Sequence, residues 1–209
     1  MTFDAKATSD DRLKAMADFV ARLNADDRPI LLGPWRSELG FEVSYWIPFL
    51  SKFAKLVKGF DQRAAVVTRG GLAPLYRTVA AQGYDLYALR SVDDGRRENL
   101  HDARVLNKGA TIKQVAQTPW DDAVLSDAAD ALAIRADYHV VHPSLMYWAL
   151  SPYYEMNRGL GYLTSLSTYR ILERVALENM SALPPKFVAV KFYARSTFPY
   201  PHPDVSRFV

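Results

Sequence analysis

The sequence predicts an α/β layer fold built on a parallel sheet. Two observations carry that reading. Short apolar runs rich in Val, Leu and Ala recur at 29–33, 63–68, 84–89, 138–142 and 187–193. Segments with apolar residues at helical spacing separate them, the alternation that builds parallel strands with helices packed on their faces.

Residues 1–8 read as an unstructured tail. Ser9 is expected to cap a helix running to about Asn24, with Asp10 and Asp11 in its first turn and Leu13, Met16, Val20 and Leu23 as its apolar stripe. The first strand, 29–33, leads through a glycine-bearing loop into a helix from Phe41 to about Lys58, with Tyr45, Phe49, Phe53 and Leu56 or Val57 inward. Pro48 is expected to kink or break that helix. The second strand ends in Arg69-Gly70-Gly71. A helix from about Leu72 to Gln82, closed by Gly83, follows, and then a third strand at 84–89. The stretch 91–119 is polar and poorly periodic, with a short helix expected around 111–117. A helix spans Asp121 to Ala133, and the fourth strand ends at His142. The helical stretch from Ser144 is expected to break at Pro152. Loop and helix fill 159–180, and Pro184-Pro185 marks a hinge-like break. The fifth strand either opens a second domain or returns to the first sheet. Three units follow: a tail and packing helix at 1–27, an α/β domain at 28–184, and the start of a second domain at 185–209.

Composition narrows the function classes. Of 209 residues, 49% are hydrophobic and 23% charged, values of an ordinary globular chain. Lys+Arg 26 against Asp+Glu 23 gives a net charge of +3, and the basic residues are scattered. Nucleic-acid binding therefore has no electrostatic footprint, while an anionic small molecule suits the mild positive charge. With no cysteine, a disulfide framework, a Cys-based metal site and a thiol nucleophile are excluded. The four histidines lack metal-ligand spacing, so no metal site is expected. No apolar run approaches a membrane span, and the first residues lack a signal-peptide pattern; a cytoplasmic location is the expectation.

The candidate chemistry lies at the strand ends, which line one rim of an open parallel sheet. The loop Gly33-Pro34-Trp35-Arg36-Ser37-Glu38-Leu39-Gly40-Phe41-Glu42 joins strand to helix, the arrangement that aims backbone N–H groups at an anion. It lacks the glycine spacing of dinucleotide or phosphate loops. Glu38 is the candidate general base. Glu42 reads more as a helix-terminus charge. Arg69, Gly70 and Gly71 either receive a phosphate or sugar, or form a plain turn needing positive φ. His142 is either a second candidate base or a buried structural histidine, with Ser144 and Tyr147 beside it. Lys191, Tyr193 and Arg195 alternate along the last strand, and the two cations together suit a diphosphate.

The blocks Gly33-Pro34-Trp35-x-x-Glu38-x-Gly40-Phe41-Glu42-x-x-Tyr45-Trp46-x-Pro48-Phe49-Leu50, Thr68-Arg69-Gly70-Gly71 with Tyr76, His142-Pro143-Ser144-Leu145-Met146-Tyr147, and Lys191-Phe192-Tyr193 with Phe198-Pro199 together resemble bacterial glycosyltransferase-like proteins of GT-B arrangement. More distantly, the layout is similar to fucosyltransferase-like enzymes. The resemblance implies two Rossmann-like domains facing across a cleft, this chain supplying the acceptor-side domain and the beginning of the donor-side one. It implies sugar transfer from a nucleotide-sugar co-substrate to a carbohydrate-type acceptor, with no further cofactor. Glu38 is then the base and His142 the second choice. Arg69, Lys191 and Arg195 meet phosphate charge. Gly33, Trp35, Gly40, Glu42, Gly70, Gly71, Tyr76, Ser144, Tyr147 and Tyr193 line the site. Most donor contacts in that arrangement come from the C-terminal domain, so the chain is expected to be the N-terminal part of a longer protein. The rival expectations are a non-catalytic carbohydrate- or nucleotide-binding module or degenerate relative, and a structural α/β domain whose polar strand ends only solvate the rim.

Overall fold

A computed structural model describes residues 4–69, 71–101, 114–135, 137–155, 157–170, 193–195 and 198–199, the backbone alone for 96, 99–101 and the last two segments. Four parallel strands form one sheet: β1 (Ile30–Leu32), β2 (Ala64–Thr68), β3 (Gln82–Asp85) and β4 (His139–Val141), in the order β3-β2-β1-β4. Ile30 pairs with Ala64 on one side and His139 on the other. Each strand alternates its side chains between faces, and the core divides accordingly. Ile30, Leu32, Ala64, Val66 and Val141 pack with helices α1 (Ser9–Asn24), α3 (Ile47–Leu56), α8 (Pro143–Glu155) and α9 (Leu160–Leu166). Leu31, Ala65 and Val67 pack against α5 (Leu86–Leu89) and α7 (Pro119–Ala131). Both faces are covered, so the central strands β1 and β2 are buried along their whole length, Thr68 at the end of β2 being their one polar residue, while the edge strand β3 is polar and half-exposed. This is a Rossmann-like α/β sheet. The chain leaves β1 toward β2 and returns to β1's other flank with β4, so the strand order reverses between β1 and β4, the place where such sheets bind ligands.

Several local expectations change. The cap of α1 is Thr8, not Ser9: Thr8 and Asp11 form a reciprocal capping box. Residues 4–8 are tied down rather than loose, through Trp148 Nε1 to the Asp4 carbonyl and Arg12 to the carbonyls of Ala5 and Ala7. The helix after β1 begins as α2 (Leu39–Phe41), widens into a π turn at Glu42–Trp46, and continues as α3, with the short α4 (Phe60–Arg63) leading into β2. Ile47 N–H bonds back to the Glu42 carbonyl, and Pro48, which has no N–H to give, follows directly.

The helix expected at 72–82 is a single 3₁₀ turn, Ala73–Tyr76, and Gly83 belongs to β3 instead of closing a helix. A Cβ on Gly83 would stand 2.5 Å from the Ala73 Cβ, so this glycine permits close packing of strand on turn. The third strand is correspondingly shorter, because Asp85 accepts the Tyr87 N–H and starts α5. The polar stretch from Ser91 contains α6 (Val92–His101), whose first turn is held by Asp94 N–H on Ser91 Oγ. Residues 114–117 are not helical, and 111–113 lie outside the described residues.

Helix α8 runs through Pro152 rather than breaking there. Proline removes the donor for the carbonyl four residues back, that of Trp148. The buried Arg12 guanidinium supplies it, Nη1 donating to the Trp148 carbonyl, and also lies over the Trp148 ring. Residues 184–185 and most of the fifth strand lie outside the described residues. Tyr193–Arg195 (β5) pairs antiparallel with Phe198–Pro199 (β6) and belongs to no other described sheet.

Candidate functional site

The loop after β1 is fixed before it reaches Glu38. Gly33 has φ of +115°, and a Cβ there would meet the Val67 carbonyl oxygen at 2.4 Å. Its role is close passage over β2, where Trp35 N–H bonds that same carbonyl at 2.9 Å. The Gly33–Pro34 bond is cis. Trp35 is fully buried, stacked between Trp46 and Tyr147 at ring separations of 5.7 and 6.2 Å. Arg36 is fully buried as well. Its Nε and Nη2 grip Asp121 at 3.0 and 3.2 Å, its ring neighbour is Trp120, and Gln114 bridges its backbone to the Pro34 carbonyl. The loop's first half is thus core, with a planar two-bond ion pair at its centre.

The same Asp121 reaches β4's end. His142 Nε2 lies 3.3 Å from Asp121 Oδ2, while Nδ1 accepts the Ser144 N–H at 3.1 Å and sits 2.8 Å from Ser144 Oγ. The accepted N–H assigns the ring proton to Nε2, facing the carboxylate. Burial opposes ionisation of Asp121, but His142 and the Arg36 charge outweigh it and hold the carboxyl well below the usual range. An aspartate–histidine–serine line results, yet all three groups are buried. His142 acts as the N-terminal cap of α8. Its Nδ1 is taken by Ser144 in that cap, and its Nε2 faces the Asp121 carboxylate at 3.3 Å inside the core, without a hydrogen bond among the described residues.

Glu42 is not a helix-terminus charge. It is completely buried, and its Oε1 accepts from Thr68 Oγ1 at 2.6 Å and from the Tyr76 hydroxyl. The π turn directs it against β2 rather than along the helix axis. Its Oε2 has no hydrogen-bond partner among the described residues. Burial raises its pKa against the two hydrogen bonds and the charge of Arg69. Tyr76, also fully buried, has its hydroxyl pKa raised by burial and by Glu42.

Arg69 stands at the carboxyl end of β2 and is 4% exposed. Its charge is felt at Glu42, Tyr76, Tyr87 and Tyr147. No carboxylate among the described residues forms an ion pair with it, and its Nε has no hydrogen-bond partner among them. Gly71, beside it, has φ of +72° with open space where a Cβ would point, and its N–H bonds Asp85 Oδ2 at 3.0 Å. Glu38, partly exposed, precedes α2 without capping it through its side chain. Glu38 and Arg69 both act on the buried Tyr147 hydroxyl, which bonds Ser37 and whose pKa burial drives upward. Gly40 is exposed in α2.

The structure therefore gathers Glu38, Arg69, Gly71 and Tyr147 at the rim, with Glu42 and Tyr76 beneath them. Gly33, Trp35, His142 and Ser144 are packing and capping residues around it. Gly70 and Lys191 lie outside the described residues, and Tyr193 and Arg195 are described as backbone only. Sequence reasoning missed Asp121, Thr68 and Asp85. Only Asp121 carried a local signal, the spacing Thr118-x-x-Asp121 of a capping box.

Three comparisons with known proteins complete the description: no family model matches the chain, and neither a curated protein nor a solved structure does.

Proposed function

We propose that this chain is the acceptor-side Rossmann-like domain of a glycosyltransferase of GT-B arrangement, acting on a nucleotide-sugar donor and a carbohydrate-type acceptor. The observation that carries the reading is Arg69, a 4% exposed guanidinium at a strand end without an ion-pair partner among the described residues. Its charge is felt at the buried Glu42, and a phosphate-bearing ligand at the rim would supply a counterion that no described carboxylate supplies by direct contact. Glu38, partly exposed on the adjoining loop, is the carboxylate that takes the acceptor's hydroxyl proton as the hydroxyl oxygen bonds the sugar carbon. The nucleotide leaves with the glycosidic electron pair as its diphosphate, and Arg69 stabilises that charge. His142 has no part in the step, since it is buried in the cap of α8 with its Nε2 turned to Asp121.

The test is transfer of radiolabelled sugar from a panel of nucleotide sugars by the protein carrying its complete reading frame. Glu38→Gln is expected to abolish turnover while donor binding persists. Turnover unchanged in Glu38→Gln removes Glu38 as the base. Donor and acceptor binding without transfer in the wild type favours a non-catalytic binding module instead.

A further inference from the structure

A cavity of about 610 Å³ opens on the side of the sheet covered by α1, α3, α8 and α9, between the π turn, the start of α3, the end of α8, and α9 with the residues after it. Its size is that of a small-molecule site. None of Glu38, Arg69 or Tyr147 lines it. Val43, Leu160 and Tyr169, at 36%, 67% and 52% exposure, stand around this one opening. Large apolar groups left in water together mark a binding surface more often than scattered ones do.

The lining chemistry is amphipathic. The rings of Tyr45, Tyr153 and Tyr169 offer flat apolar faces with hydroxyls at their edges. Five further hydroxyls come from serines and threonines of the wall, and no carboxylate lines the cavity among the described residues. Arg170 is its one described charge. The wall bearing Tyr169 and Arg170 is anchored, because Thr168 N–H bonds the Pro48 carbonyl at 2.8 Å. A run of rings leads here from the rim: Tyr147 to Phe41 at 6.2 Å, Phe41 to Tyr45 at 5.2 Å, Tyr45 to Tyr153 at 6.5 Å.

We propose that this cavity binds a glycan, its sugar rings stacked on Tyr153 and Tyr169 and its hydroxyls met by the Ser/Thr wall, with Arg170 favouring sugars that carry a carboxylate. The choice of a glycan over another amphipathic ligand rests on the glycosyltransferase reading; the cavity would then hold the part of the acceptor remote from Glu38, laid along the ring run. Sugars present C–H faces and hydroxyls in alternation, which is the pattern the wall complements.

The test uses the full chain, without any nucleotide sugar, on an immobilised array of neutral and carboxylate-bearing oligosaccharides, followed by titration calorimetry on the best binder. Wild type is expected to bind, and Tyr169→Ala and Thr164→Trp, both at exposed positions, to weaken binding by at least about tenfold with unchanged thermal midpoint. Arg170→Gln is expected to weaken acidic glycans selectively. Absence of glycan binding overturns the proposal, as does binding that neither Tyr169→Ala nor Thr164→Trp reduces. So does self-association that Thr164→Trp abolishes with no glycan bound, which assigns the cavity to a second copy of the chain. Donor binding measured separately keeps the two readings apart: glycan bound without donor affinity sinks the transferase reading and leaves the cavity assignment standing.

Discussion

The replacement Arg36→Met leaves Asp121 as a carboxylate in a site with no exposure on either partner. What is lost is a two-bond grip at 3.0 and 3.2 Å, in a place water cannot screen. The carboxylate keeps only His142 at 3.3 Å and the Thr118 cap. Removing one partner of a buried pair costs about 3–5 kcal/mol, because the other charge stays buried. With a urea m-value of about 3 kcal/mol/M this is a midpoint drop of roughly 1–2 M. The double variant Arg36→Met/Asp121→Leu removes both charges and is expected to recover at least about 2 kcal/mol of the loss. What remains is about 1 kcal/mol for the capping-box bond that Thr118 N–H gives to Asp121, the Thr118 cap itself being kept. Urea denaturation followed by tryptophan fluorescence and far-UV circular dichroism measures all three proteins. A loss under about 1 kcal/mol in Arg36→Met, or a double variant no better than the single, refutes the claim that this ion pair anchors the loop.

Three further outcomes follow from other groups. Glu42 has a raised pKa, so the stability linked to it is present below its unfolded value and is lost as pH rises through its folded value; Glu42→Gln should match wild type near pH 4.5 and exceed it at pH 8 in chemical denaturation, and a gap that narrows with rising pH contradicts this. Arg12→Met should cost about 2 kcal/mol through the Trp148 carbonyl, and Pro152→Ala, which restores the helical donor, should recover part of it; strict additivity in the double-mutant cycle would count against the substitution of Arg12 for the missing helix bond. Gly83→Ala should destabilise by about 1–3 kcal/mol because its Cβ meets the Ala73 Cβ at 2.5 Å, and Ala73→Gly in the same chain should restore the thermal midpoint if that contact is the cause.

The parallel sheet was legible because its strands are local apolar runs, and each of β1, β2 and β4 lies inside a run read from sequence. The boundaries that failed were set by contacts distant in sequence. Gly83 looks like a helix stop until Ala73 is seen against it, and Pro152 looks like a helix breaker until Arg12 is seen beside Trp148. The meeting of the β1, β2 and β4 ends was legible, because those strands are neighbours in the parallel sheet, but the roles of the residues there were not, and the last strand end lies largely outside the described residues. Glu38 and Glu42 are alike in the sequence. One is partly exposed, and the π turn seals the other beneath β2. His142 is indistinguishable from a catalytic base until Ser144 takes its Nδ1 and Asp121 stands before its Nε2 in the core, partners whose meeting depends on the whole sheet.

The most direct measurement is calorimetric titration of the full-length protein and its Arg69→Gln variant with nucleoside diphosphates and their sugar derivatives. Glutamine keeps much of the side chain's bulk and removes the charge. The account predicts saturable binding by wild type that weakens by at least about tenfold in Arg69→Gln, the scale of one charge-assisted contact. Equal affinity in the two proteins would contradict it.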